Sequence, residues 1–234
     1  MHNEYPNIVK LRQQYQSGDC ADLKCTSFSA TVEMGWPAPI ILMHNDNPQT
    51  RAEIASWPKL SQPEDAKQYV ADRVAEGANY IKLMHESGKV MGHEFNKPSV
   101  QLQKAVIDEA HKAGLKVVAH ATCLSDTLEI LECGVDGLTH NFVDQPPTEE
   151  LLKAYRENNA WLNPTLAAMG SGTTEGQQLQ EKFAHDPRVA KMLDESGRKS
   201  MCACMGFAKG PGASIRYSYE TVKMLKKNGI DVLW

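Results

Sequence analysis

Hydrophobic positions after residue 60 alternate between two spacings, one typical of strands and one typical of helices. Short apolar runs such as YIKLM and LKVVAHA are separated by stretches of roughly fifteen residues with apolar positions every three or four residues. Strands and helices that alternate in this way predict βα units and a parallel sheet. We predict four strands in succession, at 78–85, 115–121, 136–142 and 160–167.

The helices between these strands carry start and stop signals. Pro63 suits a helix N-terminus, Thr148 suits an N-cap position, and Gly77 and Gly114 follow the last apolar positions of their helices. These signals predict helices at 63–76, 99–113, 125–133, 148–158 and 219–228.

The length of 234 residues fits one large α/β barrel, which typically takes about 250 residues. We expect residues 1–234 to form a single partial domain of the (β/α)8 TIM-barrel type, in which 35–62 is a loop over the barrel mouth and 170–212 is a helical insertion. No strand precedes the helix expected at 7–16, and the final run, 230–234, stops within a strand. We therefore expect an incomplete barrel from a truncated chain, whose open sheet edges favour a homo-oligomer.

Composition and charge narrow the class of partner. The net charge is -4, the pI is about 6.1, and no run of like charges suggests nucleic acid or an anionic membrane. No apolar stretch approaches the roughly eighteen residues of a membrane span, and the N-terminus has no apolar signal-peptide core. We expect a small-molecule partner and a cytoplasmic location, with the reservation that a truncated N-terminus could have carried a signal.

Three polar residues lie inside otherwise apolar strands, each near the C-terminal end of its strand. They are Lys82 in YIKLMH, His120 in VVAHAT and His140 in GLTHNF. Side chains alternate along a strand, so we expect Lys82 beside Tyr80 and Met84, His120 beside Val118 and Thr122, and His140 beside Leu138 and Phe142. A buried lysine is costly without a partner, and neutral imidazoles bind zinc well. Three such residues on successive strands indicate a divalent metal site at the barrel mouth.

This series of residues resembles the amidohydrolase superfamily, in particular its imidazolonepropionase-like and prolidase-like branch. The likeness extends over nearly the whole chain. It is most specific at 78–142, where the stretches EAHKAGLKVVAHA and LECGVDGLTHNF closely resemble sequences of the family. Residues 35–62 and 170–212 match weakly.

The resemblance implies a role for each matched position. Lys82 would be a carboxylated lysine whose carbamate bridges two divalent metals, and His120 and His140 would be ligands of one of them, with zinc as the expected ion. Such a metal activates water and polarises a carbonyl, so the implied activity is hydrolysis of the C–N bond of an amide, a peptide or a cyclic amide.

The sequence also departs from the pattern of the family. No HxH pair, which the first strand of the family carries, occurs anywhere in the chain, and Asp231 comes too early to be the aspartate of the eighth strand. The general base is therefore unknown, and half of the expected site is missing. Since the loss of a general acid/base costs about 100- to 10,000-fold, we expect weak or no catalysis from this chain.

Four further residues are candidates for contact with substrate. His85 and Glu86 follow Lys82 on the expected mouth loop, and Asn163 and Thr165 lie at the end of the fourth strand. The histidines at 44, 93, 111 and 185 are expected on the surface or in loops.

Two other functions remain open at this stage. A lone lysine in a barrel strand also suits a Schiff-base lyase or aldolase, with Lys82 as the amine nucleophile. The other alternative is a non-catalytic chain that only folds or oligomerises.

Overall fold

A four-stranded parallel sheet lies at the centre of the protein. The computed structural model describes residues 5–14 and 23–233. The strands pair in chain order, β1 with β2, β2 with β3 and β3 with β4, all parallel. Their bounds are β1 Tyr80–Met84, β2 Lys116–His120, β3 Gly137–Thr139 and β4 Trp161–Asn163. The prediction of four parallel strands joined by helices is confirmed.

Twelve α-helices lie in the described ranges 5–14 and 23–233, and four of them alternate with the strands. Helix α4 precedes β1, and α5, α6 and α7 connect the successive strands, as the helical spacing predicted. A short 3-10 helix, Lys89–Met91, follows β1. The helices are α1 Tyr5–Gln14, α2 Ala38–His44, α3 Pro48–Ser56, α4 Asp65–Ala75, α5 Val100–Lys112, α6 Leu124–Glu132, α7 Glu149–Glu157, α8 Leu166–Thr173, α9 Gln177–Ala184, α10 Pro187–Ala190, α11 Glu195–Cys202 and α12 Ile215–Lys227.

Local capping explains where the connecting helices start. The Ser99 hydroxyl accepts a hydrogen bond from the Leu102 amide at α5, and the Thr148 hydroxyl accepts one from the Leu151 amide at α7. Each cap satisfies a backbone N–H that has no partner within the helix.

The main hydrophobic core lies between the sheet and these helices. One face of the strands contributes Ile81, Leu83, Val117 and Ala119, which are all fully buried. On the opposite face β1 and β2 carry Lys82 and His120, both buried. Parallel sheets typically have both faces buried. Here one face packs in the apolar core, and the other face carries the polar residues Lys82 and His120.

Two segments outside the sheet contain more helix than loop. Residues 35–62, expected to be an irregular loop, contain α2 and α3, and residues 170–212 contain the end of α8 together with α9, α10 and α11. Their assignment as a mouth loop and an insertion of one partial domain stays a prediction.

Extended segments flank the sheet at both edges through isolated bridges. Ala30 pairs with Leu83 next to β1, and Val232 pairs with Leu162 next to β4, both in parallel. Closure of an eight-stranded barrel, its incompleteness and self-association through its edges stay predictions. The helix expected at 7–16 is seen as α1 up to Gln14, and its last two positions lie outside the described residues. Among the described helices, none combines the length and apolar character needed to cross a bilayer.

Candidate functional site

Lys82 is a buried lysine whose amine has no hydrogen-bond partner among the described residues. Its side chain is 2% exposed in the middle of β1, and its Nζ atom has no hydrogen-bond partner in the described part of the chain. Burial disfavours the charged ammonium and lowers the pKa of Lys82 to about 7. An unpaired amine at this position is costly unless it is neutral or has a ligand to bind.

His120 and His140 bring their imidazole rings together next to this lysine. The ring centroids are 5.0 Å apart and the rings meet edge to face at 82°. Burial, followed by the charge of Lys82, holds the pKa of His120 well below its usual range. Burial lowers the pKa of His140 to about 2, with smaller contributions from His120 and Lys82. Both imidazoles are therefore neutral near pH 7 and can donate a ring lone pair.

Different neighbours hold the two rings in place. The Nε2 atom of His120 lies 3.0 Å from Oε2 of Glu86, and the Trp36 ring stacks on the His120 imidazole at 4.9 Å and 18°. The Nδ1 atom of His140 lies 2.7 Å from Oγ1 of Thr165. Within residues 5–14 and 23–233, no hydrogen bond engages Nδ1 of His120 or Nε2 of His140, so each ring keeps one nitrogen for a ligand.

Strand alternation alone does not account for the orientation of His140. Leu138 and Phe142, its expected neighbours on one face, belong to the apolar core, whereas His140 lines a cavity. Strand β3 ends at Thr139, and His140 has a φ of 76°, in the left-handed region that residues other than glycine rarely adopt. The expected grouping of His140 with Leu138 and Phe142 was therefore wrong, because a backbone turn reorients this side chain.

His85 and Glu86, two candidates for substrate contact, are buried behind the histidines. Both side chains are 0% exposed, and neither lines the cavity described below. Glu86 accepts hydrogen bonds from Thr122 Oγ1 at 2.6 Å and from the Gly88 amide at 2.8 Å, besides its contact with His120. Burial raises the pKa of Glu86 to about 7, against the opposing effect of these hydrogen bonds. The geometry makes Glu86 a neighbour of His120, and direct contact with substrate stays a prediction for both residues.

Asn163 and Thr165 also lie outside the cavity lining. Asn163 is the last residue of β4 and pairs in register with Thr139. Thr165 has a left-handed φ of 46° at the start of α8 and contacts His140. A role in substrate binding stays a prediction for these two residues, whereas the contact of Thr165 with His140 is direct.

A cavity of about 660 Å³ opens beside the two histidines, and its walls are mostly apolar and contain no acidic residue. This volume falls within the range of small-molecule sites. His44 and His93, expected on the surface or in loops, both contribute to its wall. Sequence reasoning missed the apolar wall, because an aromatic or methionine side chain in a helix or loop carries no sign of which cavity it faces. The lining residues are Trp36, Ile40, Met43, His44, Met91, His93, His120, Thr122, His140, Ala168, Met169, Met205, Gly206, Phe207 and Lys209.

A second group of side chains has a geometry that suits a metal ion. His85, Asp126 and Glu129 each offer one ligand atom, and these three atoms lie within 4.8 Å of one another. The Nζ atom of Lys97, however, lies 2.8 Å from Asp126 Oδ1 and 2.6 Å from Glu129 Oε2, so one ammonium already pairs with both carboxylates. Asp126 also accepts a hydrogen bond from the amide of Ser87 at 2.8 Å. We interpret this group as an ion-pair network that fixes the loop after β1.

Asp231 does not take part in the site. Its side chain is exposed, and its backbone carbonyl accepts a hydrogen bond from the Leu162 amide at 3.0 Å beside the edge of β4. That Asp231 is not the eighth-strand aspartate stays a prediction.

The same fold occurs in solved structures of hydrolases. They include a Xaa-Pro dipeptidase with methionine bound in its active site, an amidohydrolase, and the ochratoxinase of A. niger, with TM-scores of 0.59, 0.55 and 0.57. In the same order, the sequence identities are 15%, 20% and 16%. The alignments cover 96%, 96% and 99% of this chain. They cover 50%, 57% and 50% of the three matched chains. The chain thus spans about half the length of the structures it matches. No protein-family model and no curated protein matches the sequence.

These structures are amidohydrolase-superfamily enzymes, and the chain shares their fold. The resemblance predicted from the strands that carry Lys82, His120 and His140 is confirmed at the level of the fold.

Proposed function

We propose that the chain provides part of the active site of a metal-dependent hydrolase that cleaves C–N bonds in small amides, peptides or cyclic amides. The observation that carries this proposal is a buried Lys82 amine next to two neutral imidazoles. Within the part of the chain that the structure describes, the amine has no hydrogen-bond partner, and each ring keeps one nitrogen open. The amidohydrolase fold supports it, since this fold is that of a dipeptidase and of other hydrolases.

The donor atoms suit a divalent metal such as zinc. Imidazole nitrogens and carboxylate-type oxygens are ordinary zinc ligands, and His120 and His140 supply the nitrogens. Lys82 would supply oxygens after its neutral amine adds CO2, which forms an N–C bond, releases one proton and leaves an anionic carbamate. A pKa of about 7 supports this step, because near pH 7 a large share of the amine is unprotonated.

The bound metal would supply a Lewis acid that polarises the scissile carbonyl and lowers the pKa of water. The side chains of the protein would position the metal ligands and the substrate. Thr165 and Glu86 hold the two imidazoles, and Trp36 covers one face of His120. The apolar wall of the cavity would bind the body of the substrate and exclude water around the amide.

Little activity is proposed for the chain by itself. The sequence contains no HxH pair, and Asp231 lies exposed at the edge of the sheet. A site with one of two expected metal positions and no general base should be slower by a factor of at least about 100 to 10,000. We also propose a cytoplasmic location.

A Schiff-base lyase agrees less well with the geometry. Lys82 is not part of the cavity wall, whereas His120 and His140 are. An amine nucleophile must reach a carbonyl substrate, so this arrangement favours Lys82 as a metal ligand over Lys82 as a nucleophile.

Zinc binding tests the proposal. Calorimetry of the metal-free protein in bicarbonate buffer should give a single tight site per chain, which is lost in Lys82→Met and in His140→Ala. His185→Ala is the matched control, because His185 is exposed at the end of α9 and its ring lies 2.8 Å from the backbone carbonyl of Glu181, away from the cavity. Zinc binding that is equally strong in wild type, Lys82→Met and His140→Ala would refute the proposal.

A further inference from the structure

One lysine lies in the mostly apolar wall of the cavity. Lys209 is among the lining residues, whereas no aspartate or glutamate is. Its side chain is exposed, and a Cβ atom on Gly206, another lining residue, would lie 3.9 Å from its Nζ. The ammonium group therefore lies beside the wall, where a molecule in the cavity can contact it.

Lys209 has no counter-ion within residues 5–14 and 23–233. No ion pair and no side-chain hydrogen bond engages its ammonium there, whereas Nζ of Lys89, in the neighbouring 3-10 helix, lies 3.8 Å from Oδ2 of Asp144. A charge at the edge of an apolar cavity acts more strongly than one in open water, because the low-dielectric walls focus its field. An unpaired ammonium at this place therefore attracts an anion.

Backbone hydrogen bonds hold the loop that carries this lysine. The amides of Lys209 and Gly210 both donate to the carbonyl of Val90, at 2.9 and 3.2 Å, and the Gly206 amide donates to the carbonyl of Ser171 at 3.0 Å. The loop is thus tied to the 3-10 helix after β1 and to α8. Because none of these bonds uses the side chain of Lys209, that side chain can be replaced without breaking them.

We propose that the cavity selects a small amide with an apolar body and one carboxylate, and that Lys209 is the specificity-determining residue that pairs with this carboxylate. The aromatic and thioether side chains of the wall, such as Trp36, Phe207 and Met169, suit the apolar body. A cationic substrate would find Lys209 in the wall and no acidic side chain to balance its charge. That the bound molecule is an amide rests on the proposed function, whereas the preference for a carboxylate does not.

The test compares two probes that differ in charge and hardly in shape. N-benzoylglycine carries a carboxylate, and N-benzoylglycinamide has a neutral primary amide in its place. Their dissociation constants are measured by NMR titration in EDTA, so that no metal can bind the carboxylate. We expect wild type to bind the acid about 3- to 10-fold more tightly than the amide, as for a partly exposed charge-assisted hydrogen bond. Added salt should weaken the binding of the acid and leave that of the amide unchanged.

Three variants assign the preference to one side chain. Lys209→Met should abolish it, because methionine keeps the apolar stem and removes the charge, and Lys209→Arg should retain it. Lys191→Met is the matched control and should behave as wild type, since Lys191 is an exposed lysine outside the cavity wall.

Three results would overturn the inference. They are equal affinities of wild type for the two probes, no binding of either probe, and a preference for the acid that survives in Lys209→Met. The first two are decided by wild type alone, whether or not the variants fold. A preference that is lost in Lys209→Met, in a protein that binds no zinc, would support the role of Lys209 and refute the proposed function. Zinc binding without a preference for the acid would do the reverse, so the two failures are distinguishable.

Discussion

The imidazole of His120 meets that of His140 edge to face, with 5.0 Å between the ring centroids, although the two residues come from the ends of different strands. Burial is the main reason that the pKa of each ring is lowered, and the charge of Lys82 adds to the effect on both, which links the three residues electrostatically.

Replacing Lys82 by methionine should stabilise the metal-free protein while removing its metal site. The Nζ atom is buried and has no partner in the ranges 5–14 and 23–233, so its removal relieves an uncompensated desolvation cost. We expect the free energy of unfolding in EDTA to rise by about 1–4 kcal/mol, by analogy with the replacement of buried ionic groups by apolar ones. Urea denaturation at pH 7 measures it, with Lys67→Met on the exposed face of α4 as an unchanged control. A destabilised Lys82→Met protein would contradict this account.

The hydroxyl of Thr165 should orient His140 for metal binding. It lies 2.7 Å from Nδ1 of that ring, and the loss of such a partner usually costs about 10- to 100-fold in metal affinity. Thr165→Val should show this loss in a zinc titration, whereas Thr165→Ser, which retains the hydroxyl, should stay near wild type. Equal affinities in the two variants would mean that the hydroxyl has no such role.

Gly88 should tolerate no side chain in the loop behind the site. Its φ is +83°, and a Cβ atom would lie 2.8 Å from the backbone oxygen of His93. Gly114 has a similar φ of +74° but open space around it, so Gly114→Ala carries the backbone strain of about 1–2 kcal/mol without the clash. We expect Gly88→Ala to lose more stability than Gly114→Ala in thermal denaturation and also to weaken zinc binding. Equal melting temperatures for Gly88→Ala and Gly114→Ala would show that the clash at Gly88 is relieved without loss of stability.

Asp136 should make the stability of the sheet depend on pH below about 4. Burial acts to raise its pKa, but hydrogen bonds from Lys116, His111 and the Val117 amide outweigh it, and the net shift is downward. A lowered pKa in the folded state means that the carboxylate stabilises the fold above the unfolded pKa and that this contribution is lost as the pH falls through the folded pKa.

The test compares Asp136→Asn with wild type in urea at two pH values. The variant should lose about 1–3 kcal/mol at pH 7, and the difference should shrink at about pH 3 and below. Asp108→Asn, which removes a half-exposed carboxylate paired with Lys104, is the matched control and should have little effect. A difference between Asp136→Asn and wild type that is the same at both pH values would contradict the assigned pKa shift.

The sequence predicted the sheet, named all three candidate site residues, and assigned Lys82 and His120 to the same face of the sheet for a local reason. A polar side chain within an apolar strand, such as Lys82 or His120, is visible in the chain itself, and the period of two assigns it to a face. The order of the parallel strands follows from the alternation of strand and helix. These features depend only on neighbours in the sequence.

The rest of the site depends on contacts between distant segments. The orientation of His140 is set by a left-handed backbone at the end of β3, which strand periodicity does not encode. Glu86 was expected on the mouth loop, but its side chain is buried against Thr122 and His120 at the end of the next strand. Trp36 and Phe207 reach the cavity from opposite parts of the chain, and no pattern in either segment indicates this.

Anomalous X-ray diffraction at the zinc edge, from crystals grown with zinc and bicarbonate, tests the central claim most directly. The account predicts a zinc peak bounded by Lys82, His120 and His140, with extra density for a carboxylate on Lys82 Nζ. A peak that lies instead among His85, Asp126 and Glu129, or the absence of bound zinc, would contradict it.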